Sequence, residues 1–415
     1  MQGAENIKGI IQEAIVFDGT SSQANTTTTA RLLYENNNSV IFTAFATPES
    51  TTQSTSTVAK NSIGIFNWIS MENIRINSCR NLTFDESFSY EYSNYILFVA
   101  VGDFNDDNYM NLVVPCTQDL TMHIFLGYGN GSFQLPIISQ IEELLGNTAG
   151  GDLNDDSHAD IVVCNIIVSG PYAIAIADLN HDQILDLLVT NTVANIASVL
   201  LGYGNGTFAP QNSFVTGIMP DSIVTTDFNH DNHVDFVVAN YVSQSVTVHL
   251  GIGNGTFLNR CSYITTDAPA ALGTGDLNED ENMELISLNC GNSLINVFLG
   301  YGNGTFCLSY TYMDFDCSAS GVIGDFNGDN HLDVLISLFG SDHFSLMFSD
   351  GTGALGKPQL FNSHHQSLML VLSDFNGDHG LDFVVSDSQT DVGAYLNECI
   401  RCSLSRKKNS NFRLL

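Results

Sequence analysis

Basic residues are scarce in this chain. Lysine and arginine together number 12 against 45 aspartates and glutamates, for a formal charge of -33. From Phe84 to Leu396 the positive side chains are Arg260 and Lys357 alone. So acidic a surface repels phosphate backbones and anionic lipid, which argues against nucleic acid and against such membranes. Long apolar runs are missing too: nothing approaches the roughly 20 residues that span a bilayer. Met1–Ile15 lacks the charged-then-apolar pattern of a secretory leader. Catalytic signatures are also wanting. The eleven histidines form no His-Glu-x-x-His pair, and there is neither a Gly-x-Ser-x-Gly elbow nor a phosphate loop. Cys399 and Cys402 have the spacing of a redox or zinc pair, but no second pair stands at a suitable distance.

What the chain has is one loop written seven times. Asp227–Asp235 runs straight into the apolar stretch Phe236–Val238, and equivalent loops start at Asp103, Asp152, Asp178, Asp276, Asp325 and Asp374. Position 3 is Asn105, Asn154, Asn180, Asn229, Asn278, Asn327 or Asn376, and position 5 is Asp107, Asp156, Asp182, Asp231, Asp280, Asp329 or Asp378. Position 9 is Asn111, Asp160, Asp186, Asp235, Glu284, Asp333 or Asp382. Side-chain oxygens at alternate positions can converge on one hard cation. The backbone carbonyl of position 7 (Tyr109, His158, Ile184, His233, Asn282, His331 or Gly380) completes the shell. Six to eight oxygens in a flexible cage suit calcium. An EF-hand is excluded, because it needs a bidentate Glu at position 12 between two helices. Here position 12 is Val238 in one copy and Ser287 in the next, both within strand-like runs.

The copies keep time. Loops at Asp178, Asp227, Asp276, Asp325 and Asp374 are evenly spaced, and Asp103 and Asp152 share that interval. A second marker, Gly-Asn-Gly-Ser/Thr-Phe, holds register at 129–133, 204–208, 253–257 and 302–306. Asn-Gly between alternating apolar runs signals a hairpin. One repeat therefore holds four strands: Ile223–Thr226 entering the loop, Phe236–Val238 leaving it, Ser245–Leu250, and a fourth beyond Asn254. Four antiparallel strands in a unit of this size are the measure of a propeller blade. Stacking such sheets side by side buries both of their apolar faces.

On these residues, from about 80 to 396, the chain resembles the FG-GAP and VCBS-type repeat propellers, including the head domain of integrin α subunits. The resemblance implies calcium in the loop between strands 1 and 2 of each blade. It also implies a partner on the opposite face, formed by the 2–3 and 4–1 connections. The expected fold is an all-β, seven-bladed propeller of four-stranded blades. One blade is expected to be cut to about two strands, since Asp152 and Asp178 stand too close for a full repeat. The missing piece is the hairpin of strands 3 and 4, so that sector either exposes a strand edge or records a lesion in the sequence. Position 6, usually Gly in such loops, is Asn108, Asn232 and Asn330, but also Ser157, Gln183, Glu281 and His379. Asn111 and the longer Glu284 are expected to weaken the first and fifth loops.

Asn81–Phe84 stands in strand-4 register, so the last blade is expected to take three strands from the C-terminal end and one from here. Cys79 and Cys399 then fall where its hairpin turn would be, and a disulfide there would close the ring, with Cys402 as rival partner. Nine cysteines leave at least one unpaired in a monomer. Residues 1–75 are expected to be a polar, mostly disordered leader or stalk with a short strand near Val40–Phe45. Residues 76–400 are the propeller and 401–415 a basic tail. Sequons lie at Asn25, Asn37, Asn81, Asn130, Asn205, Asn254 and Asn303, the last four being turn residues first. These features together imply an extracellular or cell-surface, calcium-binding, non-enzymatic module for protein binding or adhesion. A carbohydrate-binding lectin and, further off, a propeller hydrolase or lyase are the alternatives.

Overall fold

A computed structural model describes residues 31–33, 42–45 and 82–398, apart from 93–97, 117–118, 141–144, 166–169, 314–315, 364–366 and 388–390. All its named elements are strands. They pair antiparallel into small four-stranded sheets arranged as a propeller. In the Asp227 blade, Pro220–Thr226, Asp235–Asn240, Ser245–Gly251 and Phe257–Ile264 lie side by side in chain order. The blades carrying the loops at Asp103, Asp178, Asp276 and Asp325 repeat that order.

Burial explains the strand grammar. The second strand of a blade, such as Asp235–Asn240, is buried at every residue, because neighbouring blades cover both of its faces. The fourth strand, such as Asn212–Val215, is mostly exposed. Between blades the apolar side chains merge. Val224, Phe228, Val237 and Val248 of the Asp227 blade pack with Leu272, Leu285, Phe298 and Phe306 of the next. Comparable seams join every consecutive pair of sheets, including the Asp374 and Asp103 sheets, where Val384, Val392 and Leu396 meet Leu112, Val114 and Phe125.

The ring closes as expected. Ser367–Ser373, Asp382–Asp387 and Asp391–Asn397 are completed by Phe84–Glu91, with Leu396 opposite Asp85 and Val392 opposite Tyr90. Phe84 seals this blade by edge-on contacts to Phe326, Phe344, Phe361 and Phe383.

The Asp152 sheet corrects one expectation, because it is not cut to two strands. Leu145–Gly151 and Asp160–Asn165 are joined by Phe42–Phe45 and then Arg31–Leu33. Phe42 stands opposite Cys164 and Phe45 opposite Ile161. The physical reason is the open edge: backbone groups of residues 160–164, buried against the neighbouring seam, need hydrogen-bond partners. The strand foreseen near Val40–Phe45 supplies them. The rest of the leader expected over 1–75 lies outside the described residues, as do Cys79, Cys399, Cys402 and the 401–415 tail.

Candidate metal centre

Each loop hangs between strands 1 and 2 of its blade, and its conformation is set by two left-handed residues. Position 6 has φ between 64° and 71° in all seven copies. Position 4, which the sequence reading passed over, is left-handed as well, as at His181 (φ 62°) and Gly377 (φ 72°). Non-glycine residues there are uncommon, and hydrogen bonds hold them in place. In the Asp178 loop, Asp178 Oδ2 accepts the Gln183 amide at 2.9 Å. The Asp182 amide is shared between Asp178 Oδ1 (3.2 Å) and Asn180 Oδ1 (3.0 Å). Asp182 Oδ1 accepts the Ile184 amide at 2.8 Å, and Asn180 Nδ2 donates to Asp182 Oδ2 at 2.9 Å. The Asp227 loop repeats each of these bonds.

Oxygens of positions 1 and 3 thus converge on the position 5 amide, the position 5 carboxylate takes the side-chain amide of position 3 and the backbone amide of position 7, and no Lys or Arg lies in any loop. The donor set is all hard oxygen, which fits a calcium-type cation. Among the described residues, however, no three His, Cys, Asp or Glu side chains already form a closed cage.

Position 9 is also tied into the backbone. Asp235 is fully buried; its Oδ2 accepts the Phe228 amide at 2.9 Å and its Oδ1 the Gly251 amide at 2.7 Å, pinning the loop to the end of strand 3. Asp186, Glu284, Asp333 and Asp382 repeat this double anchorage. Glu284 reaches both amides despite its extra methylene. Two copies depart. Asn111 accepts the Phe104 amide at 2.8 Å, but its Nδ2 is buried without an acceptor. Asp160 Oδ1 is buried without a donor among the described residues. Burial pushes these carboxyls up: Asp186 to about 6, Asp160, Asp235, Glu284 and Asp382 to about 7, and Asp333 to about 8. Backbone donors and neighbouring loop carboxylates act on them in opposite senses, and burial prevails.

The loops are also tied to one another around the ring. The second turn glycine of one blade donates its amide to the position 2 carbonyl of the preceding loop. The pairs are Gly131 to Phe375 (2.9 Å), Gly206 to Leu153 (3.2 Å), Gly255 to Leu179, Gly304 to Phe228 and Gly353 to Leu277 (each 3.0 Å). Position 7 side chains meet position 4 of the previous loop. His233 Nδ1 lies 2.7 Å from His181 Nε2, His230 Nε2 bonds Asn282 Oδ1 at 2.9 Å, His331 Nδ1 bonds Glu279 Oε1 at 2.6 Å, and His158 pairs with Asp106. The first turn glycine makes room for these pairs; a Cβ on Gly253 (φ 72°) would strike the His233 ring at 2.5 Å. Gly353 belongs to a turn, Gly351-Thr-Gly353, that departs from the Gly-Asn-Gly pattern; its signal in the sequence was the loop interval alone.

The opposite face holds what the sequence reading missed. Cys290, after strand 2 of the Asp276 blade, is disulfide-bonded to Cys317, before strand 1 of the next. Cys116 and Cys164 are buried free thiols, and Cys261 and Cys307 exposed ones. Asp221 is the second residue of an inner strand, where the repeat interval places Tyr172, Ala270, Ala319 and Leu368 in the other copies. Its Oδ1 is buried without a partner among the described residues, and burial pushes the carboxyl up to about 7. Around it, Tyr172, Val193, Ile218, Met219 and Val242 are exposed apolar side chains. The Ile218–Met219 connection is held stiffly by both neighbours: the Met219 amide donates to Asn195 Oδ1 (2.8 Å) and the Ile218 amide to Ser243 Oγ (2.7 Å).

Comparison with known proteins agrees with this architecture. The FG-GAP-like repeat family matches residues 178–238, 227–287 and 276–336. No curated protein sequence matches. Among solved structures, the chain is similar to BBS1N in its complex with ARL6DN, at 10% identity and TM-score 0.56, covering 75% of this chain and 96% of that one. It is also similar to streptogramin B lyase, at 11% identity and TM-score 0.51, covering 78% and 100%. At such identities the likeness is one of fold. No described helix is long and apolar enough to cross a membrane.

Proposed function

This chain carries FG-GAP-like repeats in a β-propeller, and from that premise we propose that it is a calcium-dependent protein-interaction module acting outside the cell. The observation that carries the binding role is the opposite face, where Val193, Ile218, Met219 and Val242 are exposed side by side on connections fixed by two blades. Exposed apolar clusters on rigid supports are where partners dock. A propeller of similar fold, BBS1N, engages a protein partner, ARL6DN, which supports the same use of the scaffold here. Asp221 at the edge of the patch favours a partner that brings a positive charge.

The cation role rests on the loops. Calcium would be held by the oxygens of positions 1, 3 and 5 with the position 7 carbonyl, while position 9 fixes the loop ends. It would supply the positive charge that the acidic loops lack, and so rigidify the rim. We count the Asp152 sheet, completed by Arg31–Leu33 and Phe42–Phe45, as a seventh blade. The test is capture of binding proteins by the immobilised full chain, with and without calcium. Ile218→Asp with Val242→Asp should abolish capture while leaving the melting temperature unchanged. Capture that survives the double variant would move the binding surface elsewhere.

A further inference from the structure

Four hairpin tips on the loop face share a feature that the turn does not require. Asn130, Asn205, Asn254 and Asn303 are exposed, and none has a left-handed backbone; the glycines on either side take the positive φ. In each, Asn Oδ1 accepts both the backbone amide and the hydroxyl of the residue two ahead: Ser132 (3.1 and 2.7 Å), Thr207 (3.0 and 2.5 Å), Thr256 (3.0 and 2.6 Å) and Thr305 (3.0 and 2.6 Å). The carbonyl side of the amide is thereby used up, and Nδ2 belongs to an exposed residue with no bond to the turn. The fifth turn is an internal control. Thr352 stands at its tip, Asp350 Oδ1 does the accepting (3.1 and 2.5 Å), and the turn closes equally well. An amide nitrogen at the tip is therefore not a folding requirement.

A second observation is independent of the first. Two residues before the tip asparagines stand Tyr128, Tyr203 and Tyr301, with Ile252 in the remaining copy. These tyrosines are 56%, 58% and 61% exposed, Ile252 39%; Tyr301 has a side-chain hydrogen bond to Cys307, yet all three aromatic rings stay largely bare in the same register.

We propose that Asn130, Asn205, Asn254 and Asn303 are N-glycosylation acceptors, and that each tyrosine is a platform for the first sugar of its glycan. In the transfer, Asn Nδ2 attacks the anomeric carbon of a lipid-diphosphate-linked oligosaccharide. The bond from that carbon to the diphosphate oxygen breaks, the lipid diphosphate leaves, and one amide proton is released. The Oδ1 bonds survive, so the modified residue still closes the turn. A sugar carried outward on Nδ2 can fold back over the ring two residues earlier, covering apolar surface as aromatic stacking does. All four sites lie on the rim of the carboxylate loops, so the glycans would crowd that face and leave the Ile218–Val242 face free for a partner.

The experiment uses the full chain secreted from a eukaryotic host behind a host leader. Enzymatic release of N-glycans should lower the mass, and glycopeptide mapping should recover all four sites. Asn205→Asp, which keeps the accepting Oδ1 and removes the amide nitrogen, should remove one glycan and leave the secreted yield unchanged. Deglycosylation should lower the melting temperature, and by less in a Tyr203→Ala plus Tyr301→Ala variant, while Ile252→Tyr should widen the loss. A secreted, folded chain with no glycan at any tip would overturn the acceptor assignment. Equal thermal losses with and without the tyrosines would overturn the platform.

Discussion

The side-chain amide of Asn397 donates to the carbonyl oxygen of Phe326 at 2.9 Å. In five other blades that position 2 carbonyl is reached by the backbone amide of a turn glycine. The closing blade has no such hairpin, because its third and fourth strands come from opposite ends of the propeller sequence. Asn397 supplies by side chain what the turn supplies elsewhere, and its own backbone amide bonds Asp382 Oδ1 at 2.8 Å. Asn397→Ala should therefore leave the buried Phe326 carbonyl unpaired and cost about 1–3 kcal/mol in denaturant melts. Asn397→Asp, which keeps the shape without the donor, should lose at least as much.

The Phe84 ring closes the propeller from the other side. It meets four phenylalanines of the last two blades at centroid distances of 5.0 to 6.2 Å. Phe84→Ala should cost about 3–5 kcal/mol, as large-to-small core changes do. Amide exchange should rise first in Phe84–Glu91 and Asp391–Asn397, where ring closure is made. Uniform exchange across all blades would show that closure is not the weak point.

Much of this architecture was legible because its signals repeat at one interval. Strand order, loop positions and ring closure followed from the spacing of Asp178, Asp227, Asp276, Asp325 and Asp374. The completion of the Asp152 sheet was not legible, since Phe42 pairs with Cys164 across a large sequence separation and no period links them. Position 9 carries a second task that the spacing did not show, since the same carboxylate letter can anchor backbone amides as well as face a cation. Asn111, which accepts the same Phe104 amide, separates the two roles. Asp221 carried no signal of its own, because its register mates include Ala270, Ala319 and Leu368.

Cys290 and Cys317 belong to different repeats, so their pairing was equally hidden. Non-reducing peptide mapping should recover them linked. They are separated by 27 residues, and a loop of that size is worth about 3–4 kcal/mol in the chain-entropy account. The double serine variant should melt lower by the corresponding amount, and a reducing agent should lower the parent to match it. Recovery of both as free thiols would remove this link between the two blades.

The buried carboxyls at position 9 make stability depend on pH, in a sense opposite to that of salt-bridged acids. In the folded chain Asp186 titrates at about 6, Asp160, Asp235, Glu284 and Asp382 at about 7 and Asp333 at about 8. In the unfolded chain such groups titrate near 4. Between those limits the folded state binds more protons than the unfolded state, so the stability of the cation-free protein falls as pH rises. Below about 4 both states are protonated and the slope vanishes. Under the proposed cation role, calcium should act against this trend, since it would bind only the folded loops and favour their ionised form. Melting in chelator should therefore give a lower temperature at pH 8 than at pH 5. With calcium the difference should shrink or reverse. Asp333→Asn should flatten the chelated profile, since it removes the most strongly shifted of these groups. A chelated protein that melts higher at pH 8 than at pH 5 would show that the buried carboxyls are not what limits it, and calcium-insensitive melting at both pH values would sink the cation reading of the loops.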